Sequence, residues 1–153
     1  MKKKWIYLDD VRIPNDSIWT LVKSYDEFVA EINLVGLDQI EFISLDHDLG
    51  DSAMTEYYTN TKPHFKLDYN NIKEKTGYDC AKWLVQESID KDIPLPTVKV
   101  HSANPIGASN IMGYVNNYLK IKGLPQTCTR VEFPHTYSEI MSLEERVEKY
   151  KNK

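Results

Sequence analysis

Acidic and histidine side chains follow three short apolar segments of the sequence, each at the point where the segment ends. They are Asp9, Asp10, Asp46, His47, Asp48 and His101. Ligands of an open parallel sheet bind beyond the carboxyl ends of its strands, so we expect these side chains to gather at one edge of a sheet. Carboxylates crowded together raise one another's pKa, and such a group makes physical sense mainly around a cation.

The carboxylates are therefore predicted to bind a divalent metal, with Mg²⁺ or Mn²⁺ favoured because both prefer oxygen ligands. The predicted ligands are Asp9, Asp10, Asp46 and Asp48. An isolated Asp-Asp pair is more often a solvated strand end or a helix cap. Here the sequence carries DD at 9–10 and DHD at 46–48, and two such ends together favour the metal site.

The two histidines of this set could exchange protons with a phosphate ester, because imidazole titrates near neutral pH. We predict His47 and His101 as base and acid, with Asp46 as a third catalytic residue. Each histidine taken alone is more often structural. A metal-free site with the two histidines as an acid/base pair stays open, and His64 and His135 lack acidic neighbours and receive no function.

Three further residues are candidates for binding a phosphate. Ser102 and Asn104 precede a predicted helix, whose free N–H groups and dipole favour an anion. They could equally be the cap and turn that start this helix. Arg12 lies two residues after the aspartate pair and could hold the phosphate or neutralise Asp9 or Asp10.

Alternating strand and helix patterns predict the elements that position these residues, in one three-layer α/β domain over residues 1–153. Strands are expected at 5–8, 19–22, 41–46, 97–100 and 128–133. Helices are expected at 25–34, 80–91, 106–121 and 138–151, the second of them opened by Asp79, and residues 11–18 are expected to form a loop.

Residues 51–76 form a long polar and aromatic connection, called the insertion below. An ordinary connection in an α/β fold has only a few residues, so this length predicts a lid or a binding segment. Its tyrosines could stack on a nucleobase, although packing of the insertion onto the domain is the favoured interpretation.

Composition limits the partners of the chain. The formal net charge is −4, from 19 basic and 23 acidic side chains, which argues against binding along a long nucleic-acid duplex. The N-terminus has no signal-peptide core and no apolar run is long enough to cross a membrane, so we expect a cytoplasmic protein. Cys80 and Cys128 are expected to be buried thiols.

Four motifs resemble those of a known family. They are WIYLDDVRIP at 5–14, SLDHDLG at 44–50, TGYD at 76–79 and HSANPIGASN at 101–110. Over residues 4–115 the sequence is similar to the cyclic-phosphate processing receiver-like domains, which are related to two-component receivers.

The receiver resemblance assigns places to several residues. Asp9, Asp10 and Asp46 match the acidic positions that hold Mg²⁺ in receivers, and SA at 102–103 resembles their hydroxyl and alanine pair. A receiver next has a lysine before a proline at the end of the fifth strand, where this chain has EFP at 132–134. That difference speaks against phospho-aspartate signalling.

The resemblance implies a receiver-like sheet of five mostly parallel strands in the order 2-1-3-4-5. It also implies a substrate with a cyclic phosphate, such as a 2′,3′-cyclic RNA end or a cyclic nucleotide. We therefore expect a metal-dependent phosphodiesterase. Two alternatives stay open, a signalling module phosphorylated on Asp46 and a non-catalytic binder of a cyclic nucleotide.

Overall fold

The computed structural model describes residues 3–138, 145, 148 and 149 of the chain. Six strands occur in this part: β1 (Lys4–Leu8), β2 (Arg12–Pro14), β3 (Trp19–Val22), β4 (Ile40–Leu45), β5 (Thr97–Val100) and β6 (His135–Tyr137). Four of them form one parallel sheet in the order β3-β1-β4-β5. This confirms the predicted parallel α/β fold and the predicted order of its first four strands.

The predicted fifth strand at 128–133 is wrong as a strand, although the chain does run along the free edge of β5. Val100 donates its N–H to Thr129 (3.1 Å) and accepts one from Val131 (2.8 Å), which makes a single parallel bridge to Arg130. Pairing does not extend toward Cys128, because the Asn116 side chain takes both the N–H and the carbonyl of that residue. The sheet therefore has four strands.

Residues 3–138 contain five α-helical segments: α1 (Tyr25–Val35), α2 (Asp51–Glu56), α3 (Lys62–His64), α4 (Gly77–Lys91) and α5 (Pro105–Ile121). α4 begins three residues before the predicted 80, because Thr76 and Asp79 form a capping box around its first turn. Asp79 is therefore the third helical residue rather than the residue that opens the helix. The predicted helix at 138–151 lies almost entirely outside the described residues.

One core lies between the sheet and helices α1, α4 and α5. Alternate strand residues point to one face of a sheet, and Ile6 and Leu8 of β1 both point into this core with no exposed surface. Phe28 of α1, Leu84 of α4 and Ile111 of α5 meet them from the helix side. Burying each such side chain contributes about 1.5–3 kcal/mol, so the core fixes the sheet on which the strand ends depend.

The opposite face of the sheet is aromatic. Trp19 packs edge-on against Trp5, Tyr7 and Phe133, with ring centroids 5.0–5.4 Å apart. Beside it, β2 pairs with β6 in an antiparallel ribbon, so the expectation that residues 11–18 are all loop is wrong for Arg12–Pro14. The local sequence gave no sign of this strand because its partner lies over a hundred residues away.

The insertion is folded rather than irregular. It contains α2, a π-helical turn (Tyr57–Thr61), α3 and a 3₁₀ turn (Tyr69–Asn71). The buried carboxylate of Glu56 holds these pieces together by accepting hydrogen bonds from the side chains of Asn60 and Asn71 and from the N–H of Asp68. Whether the insertion acts as a lid stays a prediction. No helix in the described residues has the length and apolar character needed to cross a bilayer.

Candidate functional site

Three strand ends bring the predicted residues to one edge of the sheet. In each case the N–H of the first residue after the strand donates to a carbonyl of the neighbouring strand, at 3.0 Å. These bonds join Asp9 to Val22, Asp46 to Leu8 and His101 to Leu45. The sheet ladder thus extends one residue into the site and fixes the backbone of its main side chains.

Asp9, Asp10 and Asp46 form a carboxylate cluster in which one oxygen of each lies within 4.8 Å of the others. Burial, together with the charge of Asp9, raises the pKa of Asp10 to about 7. The same two causes raise the pKa of Asp46 well above its usual range, although Arg12 opposes them. These raised values indicate that the cluster holds more negative charge than its protein neighbours compensate.

Asp9 is the most firmly held carboxylate of the cluster. Its Oδ1 accepts the N–H groups of Val11 and Arg12, and its Oδ2 accepts from Arg12 Nη1 (3.2 Å) and His101 Nε2 (3.0 Å). Burial alone would raise its pKa, but these hydrogen bonds outweigh burial and lower it. Asp9 therefore stays ionised.

Arg12 neutralises part of the cluster. Its Nη1 lies 3.2 Å from Asp9 Oδ2 and 3.8 Å from Asp46 Oδ1. Although burial opposes it, the charges of Asp46 and Asp9 raise the pKa of Arg12 above its usual value. The structure thus places Arg12 in the neutralising role that the sequence had left open, and its role in holding a phosphate stays a prediction.

The carboxylate cluster fits a divalent cation. It offers only oxygen ligands, it lies at strand ends, and the one guanidinium beside it contacts only two of its three carboxylates. Asp10 and Asp46 are the better placed ligands, because both lone pairs of Asp9 Oδ2 are already used by Arg12 and His101. Asp48 lies outside this group, so its place among the ligands remains only a prediction.

His101 belongs to the carboxylate cluster. Its side chain is 1 % exposed, and its ring stacks on Tyr7 with centroids 4.1 Å apart. Because the Asp9 carboxylate only accepts, Nε2 carries the proton, and Nδ1 accepts the hydroxyl hydrogen of Ser44 at 2.7 Å. Burial lowers the pKa of His101, although the hydrogen bond to Asp9 opposes this shift.

His47 points away from the carboxylate cluster, toward the start of α5. Its Nδ1 donates to Asp48 Oδ1 at 2.7 Å, and its Nε2 accepts the hydroxyl of Tyr69 at 3.0 Å. Asn110 of α5 donates to the same hydroxyl, also at 3.0 Å. Burial raises the pKa of Tyr69 to about 12, so its phenol keeps the proton that it donates. His47 has no exposed surface and no free ring nitrogen.

Two glycines make room for this arrangement. A Cβ on Gly77 would lie 1.8 Å from the carbonyl oxygen of Asp46, and a Cβ on Gly107 would lie 2.4 Å from the ring of His47. The glycines of TGYD and NPIG therefore let α4 and α5 begin directly against the residues that follow β4. Their role is close packing around His47.

Ser102 and Asn104 are both buried and both organise the start of α5. Ser102 Oγ accepts the N–H of Asn104, and Asn104 Oδ1 caps the helix by accepting the N–H of Gly107. Asn104 Nδ2 also lies 3.4 Å from each Asp48 oxygen. The capping interpretation accounts for these contacts, and phosphate binding by the two residues stays a prediction.

Sequence reasoning missed three contributors. Ser44 lies in β4 two residues before Asp46, so their side chains point the same way, and that spacing could have drawn attention to it. Tyr69 lies in the insertion, where no periodic pattern distinguishes one tyrosine from the next. Arg130 donates its Nε–H to the carbonyl of Ser102 at 2.9 Å, a contact across the sheet edge that no local motif encodes.

Comparison with known protein families gives a match over most of the chain. The family model for the cyclic-phosphate processing receiver domain covers residues 4–117. No curated protein and no solved structure gives a significant match to the chain. The matched segment contains the carboxylate cluster, both strand-end histidines and the start of α5. The chain belongs to the family of cyclic-phosphate processing receiver domains.

Proposed function

We propose that this domain hydrolyses a cyclic phosphate on a nucleotide or an RNA end with the help of a divalent cation. The observation that carries the proposal is the buried carboxylate cluster at the strand ends, with His101 bonded to one of its members. Family membership supports the choice of a cyclic phosphate as the substrate.

Hydrolysis adds the oxygen of a water molecule to phosphorus and breaks one of the two P–O bonds of the ring. The water loses a proton and the released ring oxygen gains one, so the cyclic diester becomes a monoester with a free hydroxyl. The protein must position the phosphate, supply compensating charge and move the two protons.

The cation would be held by Asp10 and Asp46, with Asp9 beside them. When bound, it supplies positive charge to the phosphate oxygens and lowers the pKa of a coordinated water. Asp9 keeps the ring of His101 in one orientation through the bond at Nε2. Arg12 limits the repulsion between Asp9 and Asp46.

We assign proton exchange beside the cluster to His101, whose Nδ1 becomes available only when the Ser44 hydroxyl leaves it. The second proton is assigned to His47, whose Nε2 becomes available only when the Tyr69 hydroxyl leaves it. Arg12, Ser102 and Asn104 are assigned to the orientation of the phosphate, directly or through the loop that they hold.

The test is product release from 2′,3′-cyclic and 3′,5′-cyclic nucleotides with Mg²⁺ or Mn²⁺. Asp46→Asn and His101→Ala should each lower kcat roughly 100-fold or more, as expected for loss of a charge-bearing or proton-transferring group. His64→Ala is the matched control, because His64 is exposed in α3 and should leave kcat within about two-fold.

Two results would reject the proposal of a hydrolase in favour of another function. Stable labelling of Asp46 by a small phosphodonor with Mg²⁺, without turnover of any cyclic nucleotide, would identify a signalling module. Tight binding of a cyclic nucleotide without turnover, unchanged in His47→Ala, would identify a non-catalytic binder.

A further inference from the structure

Arg130 is fixed at the carboxyl end of β5, although it lies beyond the segment that the family model matches. The backbone on both sides of it is bonded to Val100, through Thr129 and Val131. Its Nε–H donates to the carbonyl of Ser102 at 2.9 Å, and Ser102 directly follows His101. The guanidinium is therefore anchored one residue from the site histidine.

The two arginines that the structure describes are in opposite situations. Arg12 is 14 % exposed and has Asp9 and Asp46 beside its Nη1. Arg130 is exposed, and the described part of the chain shows no hydrogen bond or ion pair to its terminal nitrogens. Because a guanidinium stays charged in proteins, Arg130 presents a cation with an unused bidentate edge.

The insertion places Tyr57 close to this cation. Burial, Tyr58 and Asp48 raise the pKa of Tyr57, while the charges of Arg130 and Arg12 oppose the rise. The phenol thus lies within electrostatic reach of both arginines and of Asp48. The hydrogen bond to Ser102, which directly follows His101, locates Arg130 on the rim of the strand-end site.

We propose that Arg130 is a phosphate-binding residue of this site, whose terminal nitrogens donate to the phosphate of the substrate while Nε stays bonded to Ser102. The proposal rests on the proposed function for the identity of the substrate. Planar, bidentate donation is the geometry in which arginine recognises phosphate most effectively. Arg12 is less available for this role, because its Nη1 is shared between Asp9 and Asp46.

The first measurement is calorimetric titration of the full chain with inorganic phosphate in the presence of Mg²⁺. Arg130→Gln should weaken phosphate binding roughly ten-fold or more, because a charge-assisted pair of hydrogen bonds is lost. Arg130→Lys should recover part of the affinity, since it restores the charge without the planar donor edge.

Lys99→Gln is the matched control. Lys99 bonds to Thr127 and Thr129 on the same edge segment, so its removal costs the same charge without touching the strand-end site. Phosphate affinity should stay within about two-fold in this variant. Equal weakening in Arg130→Gln and Lys99→Gln would overturn the proposal, because only general electrostatics would then be acting.

Turnover of a cyclic nucleotide separates this proposal from the proposed function. Arg130→Gln should raise KM roughly ten-fold and leave kcat within about three-fold, as expected for loss of binding rather than chemistry. Phosphate binding that depends on Arg130 in a protein without turnover would support Arg130 and defeat the hydrolase. Turnover with KM and phosphate affinity unaffected by Arg130→Gln would support the hydrolase and overturn the role of Arg130.

Discussion

The two strand-end histidines are both buried and both use their two ring nitrogens in hydrogen bonds, yet they belong to different parts of the molecule. His101 joins the carboxylate cluster through Asp9 and is supported by the sheet. His47 joins Asp48 and the insertion through Tyr69, and is surrounded by the first turns of two helices. The sheet half of the site is thus built around the carboxylate cluster and Arg12, and the insertion half around close packing and the single carboxylate of Asp48.

This difference arises from the alternation of side chains along an extended chain. Successive residues point in opposite directions, so Asp46 faces the cluster while His47 faces α5. The alternation separates Asp46 from His47 but does not govern every residue, because the consecutive Asp9 and Asp10 both join the carboxylate cluster.

Disrupting the close packing of the insertion half around His47 should have the largest effect on stability. In Gly107→Ala the new Cβ meets the fully buried ring of His47, and neither can move freely. We expect the free energy of unfolding to fall by about 2–3 kcal/mol in urea titrations.

Gly113→Ala in the same helix is the control, because its Cβ meets no atom within 4 Å. It should stabilise the protein by about 0.5–1 kcal/mol through helix propensity. Equal behaviour of the two variants would show that His47 is not confined by α5.

The sheet half of the site can be tested by measuring how stability depends on pH and on Mg²⁺. The pKa of Asp10 is raised to about 7, above its unfolded value, so the stabilising proton is fully present below the unfolded pKa and lost as pH rises through about 7. The free energy of unfolding of the metal-free protein should therefore fall from about pH 4 to about pH 7, between the unfolded and folded pKa of Asp10, and Mg²⁺ should restore it at pH 8.

Asp10→Asn should flatten this pH profile by about 1–2 kcal/mol and remove the response to Mg²⁺. The exposed Asp90→Asn in α4 is the control and should keep both. An Asp10→Asn protein that gains stability from Mg²⁺ as the wild type does would remove Asp10 from the metal site.

The smallest effect on stability is expected where Tyr69 of the insertion bonds to His47. Tyr69→Phe removes the hydroxyl that bonds to His47 and Asn110, and should cost about 1 kcal/mol while amides of residues 62–76 exchange faster with deuterium. Tyr114→Phe, whose ring packs on Tyr78, is the control. Unchanged exchange in Tyr69→Phe would show that the insertion is held by other contacts.

Sequence patterns predicted the parts of the fold that depend on local periodicity. The four parallel strands and helices α1, α4 and α5 appear within a few residues of their expected bounds. The start of α4 was placed late although its signal was present, because Thr76 and Asp79 have the spacing of a capping box. The prediction of a fifth strand is wrong for a tertiary reason, since the Asn116 side chain forms hydrogen bonds with the N–H and carbonyl of Cys128.

The carboxylate cluster could be predicted because its members follow strands that pair side by side. The partners of the histidines could not, because Ser44, Asp48 and Tyr69 are chosen by side-chain direction and by the path of the insertion. The pairing of β2 with β6 was hidden for the same reason. Contacts between distant segments leave no periodic trace in either one.

The three backbone bonds that tie Asp9, Asp46 and His101 to neighbouring strands have a consequence for how this site can change. Loosening any of these residues requires unpairing the parallel sheet at its end, so their geometry is inherited from the fold and cannot adapt to individual substrates. Adaptation is left to the segments without such bonds. New substrate preferences in related chains should therefore arise by exchange of the insertion, while the strand ends stay as they are.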